Sequence, residues 1–160
     1  MPVMKLYHGT NVHFTDIDIQ KSQRFKDFGQ AFYLSDIQSQ AQDMASNKAD
    51  LLGGEPLVQQ YEVPDNILQD PELKVKVFDH YNTEWALFVW NNRDKDQDFK
   101  HDYDIVYGPI ANDTIGAQMR AFRLQKKNLN EFLEGLKYIN GETYQYAFCT
   151  PRAISKLHKL

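Results

Sequence analysis

The chain has 160 residues, of which 42% are apolar and 25% charged, and this predicts one globular domain spanning residues 1–160. The formal net charge of -4 disfavours nucleic acid as a partner, although a local basic patch stays open. The single cysteine, Cys149, excludes an intrachain disulfide and a multi-cysteine zinc site. The sequence shows no run long enough to cross a bilayer and no apolar signal-peptide core, so we expect a cytoplasmic protein without a membrane partner.

The first segments predict a strand, a loop and a second strand. A short strand over residues 5–8 ends before a Gly-Thr pair, and residues 11–27 have little hydrophobic periodicity and are expected to form a loop. A glycine turn then leads into an aromatic strand around Phe32. Tyr33 lies near the exit of this strand, where an aromatic ring can form the wall of a pocket.

A helix is predicted directly after this strand. Ser35 and Gln38 have the spacing of a capping box, in which each side chain bonds the backbone N–H of the other residue. The helix should therefore begin at Asp36 and continue for about a dozen residues. Its apolar residues recur at helical spacing and predict one buried stripe made of Ile37, Ala41, Met44 and Ala45.

The remaining segments mix strands and helices without strict alternation, which predicts an α+β fold. The predicted strands cover residues 57–63, 74–78, 104–110 and 144–149. Four further helices are predicted. The first follows a cap at Asn82 or Thr83, and the second follows a cap at Asn112 or Asp113. The third covers residues 129–136, and the fourth covers residues 150–157. Asn140-Gly141 predicts a turn between the helix over residues 129–136 and the strand over residues 144–149.

Three short motifs are candidates for a functional site. His8 precedes a glycine at a strand end, so its ring can point into a cleft; the alternative is a structural histidine before a turn. Tyr33 lies in an aromatic strand, for which the alternative is a buried strand with an aromatic residue on each face. The strand over residues 144–149 places Gln145 opposite its three aromatic side chains, which we expect to form the core face. For Gln145 the alternative is a solvent-facing side chain.

In combination, the motifs resemble a known fold. The order His-Gly-Thr, Phe-Gly-x-x-Phe-Tyr and a late strand led by Gln resembles ADP-ribosyltransferases of the diphtheria-toxin and poly(ADP-ribose) polymerase type. Their signature His, Tyr and Glu would fall on His8, Tyr33 and Gln145. The chain is even more similar to a bacterial domain family of unknown function, numbered 3990, placed in the same superfamily. That similarity covers nearly the whole chain, at residues 6–10, 26–34, 40–41, 84–85, 92–93, 104–109 and 148–150.

The resemblance implies a split antiparallel β-sheet core with flanking helices, and NAD as a co-substrate. By this resemblance His8 would hydrogen-bond a ribose hydroxyl, the Gly9 backbone would hold the nicotinamide amide, and Tyr33 would stack on the nicotinamide ring. It assigns catalysis to His8, Tyr33 and Gln145, and NAD binding to His8, Gly9, Thr10, Phe32, Tyr33 and Ala41. No metal is expected, because the remaining histidines lack metal-ligand spacing.

Gln145 stands where the resemblance expects a glutamate. A neutral amide can hydrogen-bond a hydroxyl but cannot act as a base, and losing a general base typically costs about 10²–10⁴-fold in rate. Polymer synthesis is therefore disfavoured. The resemblance implies an NAD-dependent mono-ADP-ribosyltransferase that cleaves the nicotinamide–ribose bond and modifies an unknown protein or other acceptor. The alternative is a catalytically silent module of the same fold that binds NAD, ADP-ribose or a partner.

Overall fold

The computed structural model describes residues 2–138 and 141–160, and these residues form two β-sheets and five α-helices. The strands are β1 (Val3–Thr10), β2 (Phe32–Leu34), β3 (Leu57–Pro64), β4 (Val75–Val77), β5 (Ile105–Pro109), β6 (Tyr144–Phe148) and β7 (His158–Lys159). The helices are α1 (Gln38–Leu52), α2 (Thr83–Arg93), α3 (Ile115–Arg123), α4 (Leu129–Leu136) and α5 (Pro151–Ile154). The α+β class is confirmed. The turn predicted at Asn140-Gly141 lies partly outside the described residues, which do not include Asn140.

The strands divide into a first sheet of order β1-β3-β7 and a second sheet of order β2-β6-β5-β4. An isolated bridge joins the two sheets, where Tyr7 N donates to Ser35 O at 2.7 Å and Ser35 N donates to Tyr7 O at 2.9 Å. The expected antiparallel arrangement does not hold for one pair, because β4 and β5 run parallel. Helix α2 lies between these two strands in the chain, and a parallel pair requires a long crossover of this kind.

Two hydrophobic cores lie on opposite faces of the second sheet. The first core contains Trp85 of α2, Phe132 of α4 and Ala147 of β6, and the second contains Phe148 of β6 and Tyr61 of β3. All five side chains are almost completely buried. The prediction that only the aromatic face of the last predicted strand belongs to the core is therefore wrong, because α2 and α4 cover the face of Ala147.

The predicted start of α1 is wrong. The helix begins at Gln38 after Ile37, and no side chain caps it. The hydroxyl of Ser35 accepts a hydrogen bond from Ile37 N at 3.0 Å, which makes a local turn instead of the capping box. The backbone of Ser35 is held extended by the bridge to the first sheet, so this residue cannot lie against the helix end as a cap.

The buried stripe of α1 is narrower than predicted. Ala41 and Ala45 are buried, whereas Ile37 and Met44 are 47% and 46% exposed. The helix packs backbone against backbone on β1, since a Cβ atom added to Gly9 would lie 2.0 Å from the carbonyl oxygen of Ala41. At this distance only the smallest side chains fit the interface, and the larger apolar residues remain outside it.

The other helix ends agree with the sequence to different degrees. The predicted cap of α2 is confirmed, because Asn82 Oδ1 accepts from Trp85 N at 2.8 Å. The cap position of α3 is Thr114, one residue after the predicted pair. Thr150 caps α5 as predicted, but this helix ends at Ile154 and not at residue 157. The short strand β7 follows and pairs with β3. No helix within residues 2–138 and 141–160 is long and apolar enough to cross a membrane.

Candidate functional site

His8 is a neutral, enclosed histidine on β1. Its ring stacks on Phe32 with centroids 4.1 Å apart, and Nδ1 lies 2.7 Å from the carbonyl oxygen of Tyr33. A ring that donates from Nδ1 to a carbonyl has Nε2 as its acceptor. Burial, together with the nearby charge of Lys48, lowers the pKa of His8 to about 4, although the hydrogen bond to the Tyr33 backbone opposes the shift. The imidazole is therefore uncharged at pH 7.

Tyr33 of β2 is partly exposed, but its hydroxyl is held inside the protein. The hydroxyl donates to the carbonyl oxygen of Gly29 at 2.6 Å and accepts from Phe28 N at 3.0 Å. Burial raises the pKa of this phenol well above its ordinary value, and the charge of Asp27 adds to the effect. The ring packs against the first core, on the side of β2 opposite Phe32.

Gln145 of β6 contacts a buried carboxylate. Its Nε2 donates to Asp27 Oδ2 at 3.2 Å, and the same oxygen accepts from Ala111 N at 3.3 Å. The other oxygen, Oδ1, accepts from Arg93 Nε at 2.5 Å. Asp27 is only 5% exposed, and a carboxylate this buried needs a cation and several donors to offset its lost hydration.

The strand register relates the three predicted catalytic residues to one another. Tyr33 lies opposite Ala147, so Gln145 is two residues away on the same face of the second sheet. The segment 27–29 connects these two side chains, because it binds the Tyr33 hydroxyl at one end and the Gln145 amide at the other. The His8 ring lies beside Phe32 instead and is joined to Tyr33 through the backbone. The structure thus brings the three residues onto neighbouring strands, with His8 on the side of the second core.

The other residues predicted to bind NAD are tightly enclosed by the protein itself. Gly9 allows α1 to approach β1, and its carbonyl oxygen accepts from Lys48 Nζ at 2.9 Å. The hydroxyl of Thr10 accepts from Val12 N at 3.3 Å. Thr10, Phe32 and Ala41 are each less than 5% exposed. Packing accounts for these residue types, and their role in binding NAD stays a prediction.

Three basic side chains near this site were not identified from the sequence as a group. Burial lowers the pKa of Lys48, and the charge of Lys26 lowers it further. Burial likewise lowers the pKa of Lys26, together with the charge of Arg93, while Asp27 raises it. Lys26 and Arg93 thus lie near Asp27, and Lys48 lies near Lys26. Three cations close to one carboxylate leave an excess of positive charge suited to an anion. The sequence signal was weak, because the three lie in a loop and two different helices.

Gln40 of α1 contributes an unsatisfied acceptor beside β6. Its Nε2 donates to the carbonyl oxygen of Tyr144 at 3.3 Å, the residue before Gln145. Its Oε1 is the buried side-chain oxygen within the described ranges that has no hydrogen-bond partner. An orphaned buried acceptor typically costs about 1–3 kcal/mol, so a ligand that donated an N–H or O–H group here would relieve that cost.

Two surface cavities lie apart from the predicted catalytic residues. One of about 530 Å³ is lined by Trp90, Phe122 and Arg123, and one of about 200 Å³ contains Cys149 and His101. The thiol lies 4.0 Å from His101 Nε2, but burial raises the pKa of Cys149 to about 12 and keeps it protonated. Within residues 2–138 and 141–160, no group of three or more His, Cys, Asp or Glu side chains is arranged to hold a metal.

These features define a class of protein: an α+β domain whose two sheets meet at an isolated bridge, with a carboxylate–amide pair whose buried carboxylate is bound by an arginine. Residues 4–159 match the family model described as a protein of unknown function (DUF3990), and the chain belongs to this family. No curated protein and no solved structure matches the chain. The family predicted from the motifs is confirmed, and the link to the ADP-ribosyltransferase superfamily stays a prediction.

Proposed function

We propose that this protein is an NAD-dependent mono-ADP-ribosyltransferase. The supporting observation is a series of hydrogen bonds that links the three residues. The His8 ring bonds the Tyr33 carbonyl oxygen, the Tyr33 hydroxyl bonds the Gly29 carbonyl oxygen, and Asp27 in the same segment bonds the Gln145 amide. These residues are far apart in the sequence and match the order of the His, Tyr and Glu signature. A path of fixed polar groups beside the junction of two sheets supports a site that positions a ligand for reaction.

The residues around this path have the chemistry that NAD requires. The neutral His8 has an Nε2 acceptor for a ribose hydroxyl, and the amide oxygen of Gln145 can accept from another. Lys26, Lys48 and Arg93 provide positive charge for a pyrophosphate. The reaction breaks the bond between ribose and nicotinamide, whose nitrogen takes the electron pair. The acceptor's nucleophile then bonds to the ribose carbon and loses its proton.

A second function, binding of NAD or ADP-ribose without turnover, is favoured by the state of Asp27. This carboxylate is the charged acid in contact with Gln145, and both of its oxygens already accept hydrogen bonds from Arg93, Ala111 and Gln145. A carboxylate engaged in this way is not free to take a proton from an acceptor. A site with a neutral Gln145 and an engaged Asp27 could still bind the dinucleotide.

Binding and release assays separate these two functions. We expect NAD and ADP-ribose to stabilise the protein, by about 2.7 kcal/mol at a concentration of about 100 times the dissociation constant. Release of nicotinamide from NAD, followed by chromatography, identifies the enzyme, and binding without release identifies the silent module. A protein that neither NAD nor ADP-ribose stabilises would contradict both functions.

A charge variant tests the placement of the dinucleotide. We expect Lys48→Ala to weaken NAD binding about tenfold. One charge-assisted contact to phosphate contributes roughly 1.5–3 kcal/mol of binding free energy, and solvent screening reduces this contribution. Lys137→Ala is the matched control, since Lys137 forms an exposed ion pair with Glu134 on α4. Equal effects of the two variants in isothermal titration calorimetry would show that Lys48 does not contact the ligand.

A further inference from the structure

We propose that Asp27 is a positioning residue that sets the orientation of the Gln145 amide. In this orientation the carbonyl oxygen of Gln145 is presented to a hydroxyl group of the ligand. The inference rests on the proposed function, because that hydroxyl would belong to the ribose of NAD or ADP-ribose. It assigns a role to Asp27 that the His, Tyr and Glu pattern does not contain.

The chemistry of the contact determines which end of the amide faces Asp27. An ionised carboxylate has acceptors only, so it can bind the NH₂ end of Gln145 and would repel the carbonyl end. The observed contact joins Nε2 to Oδ2 at 3.2 Å. Oε1 lies on the other branch of the planar amide and is therefore directed away from Asp27. Gln145 then accepts a ligand hydrogen bond as a glutamate would, without carrying the charge.

Asp27 is itself held in place from several directions. Arg93 binds Oδ1 at 2.5 Å and Ala111 N binds Oδ2 at 3.3 Å, so the end of α2 and the residue two positions after β5 both fix the carboxylate. The next residue, Phe28, is fully buried in the first core. A carboxylate held this firmly can orient a partner side chain, since neither group can rotate without breaking a hydrogen bond that is at least partly buried.

The inference predicts that glutamate at position 145 is harmful. Gln145→Glu would place a second carboxylate about 3.2 Å from that of Asp27, the distance of the present contact. Like charges at this distance repel strongly. We expect this variant to lose at least tenfold in NAD affinity. Combining Gln145→Glu with Asp27→Asn restores one amide and one carboxylate, and we expect most of the affinity to return. An Asp27 that served only its ion pair with Arg93 would give no such rescue.

Asp94→Asn is the matched control for the loss of a buried aspartate. Asp94 is 4% exposed and binds Arg123 NH2 at 2.7 Å, next to the end of α2 but without a contact to Gln145. This variant should keep NAD affinity within about twofold, whereas Asp27→Asn should lower affinity as much as Gln145→Ala does. The double variant Asp27→Asn, Gln145→Ala should be no worse than either single variant, because both remove the same interaction.

A measurement without NAD separates failure of this inference from failure of the proposed function. The side-chain NH₂ signals of Gln145 in nuclear magnetic resonance spectra can be assigned by their loss in Gln145→Glu. We expect these protons to exchange slowly with water in the native protein, at least tenfold faster in Asp27→Asn, and at the native rate in Asp94→Asn.

Unchanged exchange in Asp27→Asn would overturn the inference even if NAD binds. Slowed exchange that depends on Asp27 would support the amide orientation even if NAD does not bind, and only the proposed function would then fail. Should Asp27→Asn not fold, Gln145→Glu decides alone: tighter NAD binding than in the native protein overturns the inference, and weaker binding supports it.

Discussion

The buried ring of His8 couples the stability of the fold to pH. Its pKa is lowered from 6.5 to about 4 in the folded protein, so the unfolded chain binds a proton more readily between these two values. Stability from this group is complete above pH 6.5 and is lost as the pH falls towards 4. We expect the shifted pKa of His8 to lower the free energy of unfolding by about 2 kcal/mol when the pH falls from 7 to 5.

Urea unfolding of the native protein and of His8→Asn at both pH values measures this effect. The asparagine amide can still donate to the Tyr33 carbonyl, but it does not titrate, so the variant should lose less stability on acidification. His13→Asn replaces an exposed histidine and should keep the native pH dependence, because His8 is still present. Identical pH dependence in the native protein and His8→Asn would contradict a neutral, buried His8.

At the scale of elements, the contact between α1 and β1 depends on the absence of a side chain at Gly9. A Cβ atom there would lie 2.0 Å from Ala41 O and 2.8 Å from Ala45 N, both of which are backbone atoms of the helix. We expect Gly9→Ala to reduce the unfolding free energy by about 1–3 kcal/mol or more, because the helix must move away from the strand. Chemical denaturation measures the change.

Gly116→Ala provides the matched control within a helix. Apart from the adjacent residues and the backbone of α3 itself, no described atom lies within 4 Å of the position that its Cβ would occupy. Alanine is also the better helix former by roughly 0.5–1 kcal/mol. The control should therefore be neutral or stabilising. A Gly9→Ala variant as stable as the native protein would show that α1 is not packed backbone to backbone on β1.

At the scale of the whole molecule, strand β6 belongs to both hydrophobic cores and should make them unfold together. Phe148→Ala empties a fully buried site in the second core and should cost about 3–5 kcal/mol. Both tryptophans, Trp85 and Trp90, pack in or against the first core on the other face of the sheet. We nevertheless expect their fluorescence transition to shift as far as the transition followed by far-ultraviolet circular dichroism.

Phe132→Ala is the corresponding change in the first core, where this side chain is fully buried. It should shift both transitions by the same amount, because the two faces of one sheet cannot separate without breaking its hydrogen bonds. A fluorescence transition that stayed in place in Phe148→Ala, while circular dichroism shifted, would show that the two cores unfold independently.

Much of the local structure could be predicted from sequence patterns. The apolar spacing of Leu129–Leu136 and the caps at Asn82 and Thr150 depend on residues a few positions apart, and all three were predicted correctly. The motifs also identified the family. Ser35 was assigned wrongly, because its local capping pattern competes with a bridge to Tyr7 that lies 28 positions earlier in the chain. Local preference yields to such tertiary hydrogen bonds.

The sequence by itself determined the α+β class, most element positions and the family, together with the identities of His8, Tyr33 and Gln145 as candidates. Only the tertiary structure decided that β4 and β5 run parallel, that α1 packs on Gly9, and that Gln145 binds a carboxylate. Asp27 and Gln145 are separated by 118 positions in the chain. No local propensity links residues at that distance, and their contact exists because β6, α2 and the segment before β2 pack around one buried charge.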